Sequence, residues 1–171
     1  MRNLLLLLFS ALLTGCMGIP EGVAPIENFE ASRYLGKWYE IARLDHSFER
    51  GLSNVSAEYS IRKDGGIRVL NQGFSKKDNE WSEAEGKAYF VNDEHQGHLK
   101  VSFFGPFYSS YVIFELEKTN YEYAFISGYN NSYLWLLART PKIDQTIIEH
   151  FVSRSRELGF NTDGLIFLNQ E

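Results

Sequence analysis

The 171-residue sequence is poor in cysteine, proline and basic charge. Its single cysteine excludes an intramolecular disulfide. The fold must therefore be held by core burial, which a chain of roughly 150 residues can supply. Lys and Arg number 17 against 22 Asp and Glu, a net charge of −5. Phosphate binding relies on clustered cations, so this balance argues against nucleic acid as a partner. No apolar run approaches the roughly 20 residues of a membrane-spanning helix. No serine sits in the Gly-x-Ser-x-Gly setting of a nucleophile elbow. The histidines are His46, His95, His98 and His150. His95 and His98 lie beside Asp93 and Glu94 in a loop, but that spacing alone is too weak for a metal set, and neither metal nor cofactor is expected. Glu83 and Glu85 share one face of a strand, which an exposed surface explains more simply than acid–base chemistry. The sequence offers no catalytic residue.

What is present is aromatic and apolar. Aromatics make up 15% of the chain, with 10 Tyr and 13 Phe, a bias toward strands. At the N-terminus, Arg2 precedes an apolar run, Leu4 to Phe9 and Ala11 to Leu13. At about ten residues it suits the core of a signal peptide rather than a span. The following Leu13-Thr14-Gly15-Cys16 resembles the bacterial lipobox. That resemblance implies cleavage before Cys16 and acylation of its thiol and new amino group, and several acyl chains on one residue anchor stably. Met at position 17, where Asp would imply retention at the inner membrane, implies the outer membrane of a Gram-negative bacterium. The expected organisation is a signal peptide over 1–15, a tether over 16–28 rich in Gly and Pro, and one domain over 29–171.

That domain alternates short β-rich runs with turn signals about every ten residues. The runs are Trp38 to Leu44, Val55 to Arg62, Ile67 to Phe74, Glu83 to Val91, Leu99 to Phe104, Tyr111 to Glu117, Tyr123 to Gly128 and Tyr133 to Arg139. Short connections favour antiparallel neighbours, and closing the sheet removes its edges. The expected fold is all-β: an eight-stranded antiparallel up-and-down β-barrel. One helix follows, with Asp144 as N-cap and Gly159 as stop, and its single apolar stripe should lie on the outside of the barrel. Leu165 to Leu168 reads as a short last strand. Several strands are apolar on both faces, and an eight-stranded interior is either filled or holds one small ligand.

Gly36-Lys37-Trp38-Tyr39-Glu40-Ile41-Ala42-Arg43 resembles the first lipocalin signature, and Leu134 to Arg139 followed by a helix resembles the closing one. Arg50-Gly51-Leu52 and Val101 to Phe107 are similar to the bacterial outer-membrane, apolipoprotein-D-like lipocalins in particular. The resemblance covers Phe29 to Leu168. It implies a barrel that binds a lipid-like ligand, a fatty acid or lysophospholipid, in storage, transport or envelope maintenance under stress. It also implies a homodimer, for which the residues themselves offer no signature. Trp38 and Arg139 are expected to close the barrel floor as a cation–π pair. Trp135, Tyr111, Phe90, Ile113, Tyr133 and Leu137 are expected to line the cavity. The Asn130–Ser132 turn and the Glu49–Ser53 loop are expected at its mouth. An isomerase-like enzyme and a filled-barrel interaction lipoprotein remain as alternatives.

Overall fold

A computed structural model describes residues 17–170; Cys16 and the signal segment lie outside the described residues. A one-turn helix α1 (Ala31–Tyr34) leads into strands β1 (Gly36–Leu44), β2 (Leu52–Ile61), β3 (Ile67–Ser75), β4 (Glu80–Phe90), β5 (His98–Phe104), β6 (Phe107–Leu116), β7 (Tyr123–Ser127) and β8 (Leu134–Ala138). Helix α2 (Gln145–Glu157), a 3-10 turn (Thr162–Gly164) and a short β9 (Leu165–Phe167) complete the chain. Consecutive strands pair antiparallel from β2 to β8, β8 pairs β1, and β1 pairs β2, which closes the eight-stranded barrel. β9 adds to β1 beside β2, pairing Ala42 with Phe167.

The strand faces divide the apolar residues between two cores. Trp38, Tyr59, Val69, Ala88, Leu99, Ile113, Ile126 and Leu137 point into the barrel. Ala42, Val112, Phe125, Leu134 and Leu136 point outward and are covered by Phe151 of α2 and by Phe160. This is why β7 and β8 carry apolar residues on both faces. The helix starts where the Asp144 side chain accepts from the Thr146 amide at 2.8 Å. It ends at Gly159, whose φ of +81° suits glycine. Away from the helix, the outer faces of β3 and β4 are polar, with Arg68 and Glu85 paired at 2.7 Å.

One barrel end is closed. Trp38 is fully buried there and donates Nε1–H to the Tyr34 carbonyl at 2.8 Å. The Arg139 guanidinium lies 4.1 Å over its ring. The same guanidinium donates to the carbonyls of Arg33 at 2.7 Å, Lys37 at 3.1 Å and Tyr121 at 3.2 Å. It thus ties α1, the start of β1 and the β6–β7 loop to the end of β8. The loops β1–β2, β3–β4, β5–β6 and β7–β8 surround the other end, the mouth. Both segments expected at the mouth are there.

Arg139→Met keeps much of the side chain's length but leaves three carbonyls without their donor. It should lower the unfolding free energy by about 3 kcal/mol in urea titration. A variant as stable as the parent would mean that the floor does not depend on this latch.

Candidate functional site

The barrel interior is layered. Above Trp38, three tyrosines form a floor plate: the Tyr111 hydroxyl lies 2.7 Å from that of Tyr34 and 2.9 Å from that of Tyr59. Burial pushes the pKa of all three phenols up, so they stand as neutral hydroxyls. Phe90 packs edge-on to Phe29 at 6.0 Å beside them.

Above the tyrosines sits a buried charge cluster that depends on a bulge. Residues three apart on a regular strand face opposite ways. In β1 the register shifts between Glu40 and Ala42, so that Glu40 lies opposite Leu137 and Arg43 opposite Trp135, both on the inner face. Arg43 Nη1 donates to Glu40 Oε1 at 2.6 Å, and Nη2 donates to the Glu49 carbonyl at 2.8 Å. The Glu49 carboxylate accepts from Trp135 Nε1–H at 3.2 Å. His46 Nε2 is 2.9 Å from the same oxygen, but out of line for a hydrogen bond. Burial first, then the neighbouring Glu49, raises the Glu40 carboxyl well above its ordinary value, and Arg43 only partly opposes this. Rings stack outward from the cluster to the mouth, His46 on Phe48 at 3.9 Å and Trp135 on Tyr133 at 6.1 Å.

The opposite wall is built of small residues. From buried Ala88, the unbroken β3–β4 register places Gly86, Ala84 and Ser82 on the inner face, opposite Val69, Asn71 and Gly73. Ala84 and Ser82 point inward yet are solvent-exposed. The upper lumen is therefore open. Asn71 Oδ1 is buried there with no hydrogen-bond partner among the described residues. Glycine at position 86 gives Phe103 room to cross the wall, since a Cβ would stand 2.9 Å from its ring. The wall also parts near the mouth. β4 pairs with β5 only over Lys87–Phe90, so its upper half is held by β3 alone. Between β1 and β2 the ladder stops at Tyr39 and Ser56. Above that point Gln170 Nε2 bridges the carbonyls of Glu40 at 2.6 Å and Val55 at 2.9 Å.

Of the residues expected to line a cavity, Trp135, Tyr111 and Phe90 pack against the inner core and are only partly buried. Leu137 and Ile113 also face inward but are 5% and 0% exposed, sealed below the lumen. Tyr133 lies just before β8, in the mouth loop, 6.4 Å from Phe48. Trp38 and Arg139 meet at the floor. His95 is exposed in the β4–β5 loop, whereas His98 is buried with Nε2 3.2 Å from Ser110 Oγ, so the two do not converge. Glu83 and Glu85 lie on the outer face of β4, toward Gln72 and Arg68. Glu40, Arg43, His46 and Glu49 were not singled out by sequence reasoning. The clue was in the first signature, which holds Glu40 and Arg43, but only the bulge brings them together.

Comparison with known proteins agrees with this architecture. A model described as a lipocalin-like domain matches residues 29–170. The outer membrane lipoprotein Blc of Vibrio cholerae serotype O1 is 61% identical over 171 residues, the whole of both chains. Apolipoprotein D of Macaca fascicularis is 33% identical over 162 residues, covering 85% of this chain and 84% of its own. The solved insecticyanin of the tobacco hornworm Manduca sexta superposes with a TM-score of 0.69 at 19% identity, over 88% of this chain and 86% of that one, a likeness of fold alone.

Glu40 keeps its proton in the folded chain over a range where the unfolded chain has lost it. Folding then binds a proton, and stability falls as pH rises from the ordinary 4.5 of a glutamate through the raised value. Glu40→Gln retains an acceptor for Arg43 and cannot ionise, so it should flatten the decline above pH 4.5 in urea unfolding. A variant curve parallel to the parent's would assign the slope to other groups.

Proposed function

The chain belongs to the lipocalin family, and on that premise we propose that it is an outer-membrane lipoprotein that holds a fatty acid or lysophospholipid in its barrel. Acyl chains on Cys16 anchor it, and upkeep of envelope lipids under stress is the role this reading assigns. The observation that carries the reading is the exposure of Ala84 and Ser82 on the inner face of a barrel whose opposite wall bears Trp135 and whose base is formed by Tyr111. A space of that kind, closed below and lined by rings and small residues, suits an acyl tail. The relatives named outer membrane lipoproteins support the location.

The mechanism is partition with a polar selection near the mouth. Each buried methylene yields roughly 0.8 kcal/mol, so a tail of about a dozen carbons has ample gross driving force. Association and ordering costs remove much of it. The net is on the order of −8 to −9 kcal/mol, micromolar to sub-micromolar affinity. At the upper wall the Glu40 carboxyl pairs with Arg43 and the Glu49 carboxylate raises its pKa, while Arg43 takes only the main-chain carbonyl of Glu49. A fatty-acid carboxylate there would add to the repulsion that already holds the Glu40 proton. A head-group ammonium would favour release of that proton and pair with the charge, so lysophospholipids bind more tightly than fatty acids in this account.

Calorimetric titration of the mature domain carrying Cys16→Ser with lysophosphatidylcholine tests the reading. Saturable binding is expected, weakened at least about tenfold by Ala84→Trp, which fills the lumen, and unchanged by Glu83→Trp on the outer face. Absence of uptake by protein freed of co-purified lipid, or equal binding by A84W, would sink it.

A further inference from the structure

We propose that the mouth of the barrel is a bilayer-docking surface: the N-terminal anchor holds it face down, and its aromatic rim enters the lipid interface. The proposal rests on the reading that Cys16 is acylated. The occupant it commits to is the membrane that carries the anchor.

The first observation is the rim itself. Phe48 is 57% exposed, Trp81 61%, Phe104 80% and Phe107 66%. Phe48 lies in the β1–β2 loop, Trp81 follows the β3–β4 turn, and Phe104 and Phe107 flank the β5–β6 turn. All four are therefore at the open end. Among the described residues, Ile61 is the exposed large apolar side chain at the floor end. Clustered exposed apolar groups mark an interaction surface, and Trp and Tyr favour the lipid–water boundary. Tyr129 and Tyr133 add to the rim from the β7–β8 loop.

The second observation is the path of the N-terminal segment. Near the floor, the Phe29 amide donates to the His95 carbonyl at 2.8 Å, and Ile26 N–H donates to Ile113 O at 2.9 Å. Farther up, Val23 is buried in the outer core under α2. Gly18 reaches the mouth, where its Cβ position is 3.1 Å from the Tyr129 carbonyl. Cys16 is two residues earlier, so covalent geometry keeps it within about 7 Å of Gly18. Anchor and aromatic rim are thus at one end of the barrel. Leaving from the floor, the same anchor would have held the rim away from the bilayer.

Charge then selects the kind of surface. Lys76 and Lys77 are balanced by Asp78 and Glu80 in the β3–β4 turn, and Asp45 pairs with Arg50 at 2.7 Å. A rim with cancelling charge and exposed rings suits a zwitterionic interface rather than an anionic one. Docked this way, the open lumen and the parted β4–β5 wall face lipid, and a ligand passes between bilayer and barrel without crossing water.

The test uses the mature acylated protein in phosphatidylcholine vesicles containing brominated lipid, with tryptophan emission as readout. Mass measurement of the same protein establishes acylation. Trp81 emission should be lost to the quencher, and W81F should lack that component. Quenching that persists in W81F comes from the interior Trp38 and Trp135 and reports lipid inside the barrel. In the double variant W81F/I61W, the indole at the floor should remain unquenched. Quenching of that indole, or of neither exposed indole in acylated protein, overturns the docking geometry. A protein without acyl mass overturns the anchor reading instead, and the proposal with it. Shielding of Trp81 without vesicles, together with a doubled mass in solution, gives the rim to a second copy of the chain and overturns it as well.

Discussion

Closure of one barrel end by Arg139 is the interaction on which the remaining architecture depends. Its guanidinium lies over the Trp38 indole and reaches three main-chain carbonyls from three separate segments. A charged donor in this place is worth more than an apolar plug, because those carbonyls would otherwise be buried without partners. With the floor sealed, the interior has one main entrance. The tyrosine plate then forms a dry base, and whatever occupies the lumen must sit toward the mouth.

The two walls of the lumen are built for opposite purposes. On β1 and β8, large and charged side chains fill the inner face, and the bulge in β1 turns Glu40 and Arg43 inward together. Burying such a pair is costly unless its hydrogen bonds are satisfied. The main-chain carbonyls of Glu49 and Leu52 supply part of that satisfaction. On β3 and β4, glycine, alanine, serine and asparagine line the inner face and leave space. Above Lys87, β4 pairs with β3 alone and is free of β5. Charge is thus placed on one wall and room on the other.

Much of this was readable in the sequence. Alternation and turn chemistry located all eight barrel strands, and the stripe from Ile147 to Leu158 located the helix and its covering face. Several strands start earlier than their patterns, while β7 and β8 are shorter than theirs. β4 begins at Glu80 because its ladder with Ser75 continues through polar residues that carry no alternating signal. β6 begins at Phe107 because pairing with β5 carries it through Ser109 and Ser110. The floor pair was readable because the two signature motifs are local. The charge cluster was not, since regular alternation puts Glu40 and Arg43 on opposite faces and nothing local announces the bulge. Tyr133 shows the same limit from the other side: its parity with Trp135 is right, but the strand starts one residue later and leaves Tyr133 at the mouth. Ala84 and Ser82 carry no signal of their own in the sequence, and only the barrel register and their exposure show an open lumen beside them.

The claim at the centre of this account is that lipid is held between these two walls. The most direct measurement is an anomalous diffraction map of the domain crystallised with a lysophospholipid brominated partway along its acyl chain. The account predicts bromine density inside the barrel, between the Trp135 side and the inner face of β4 at Ala84, with the head group toward Glu49 and the mouth. Bromine under α2 on the outer wall, or an upper lumen packed with side chains and free of bromine, would contradict it.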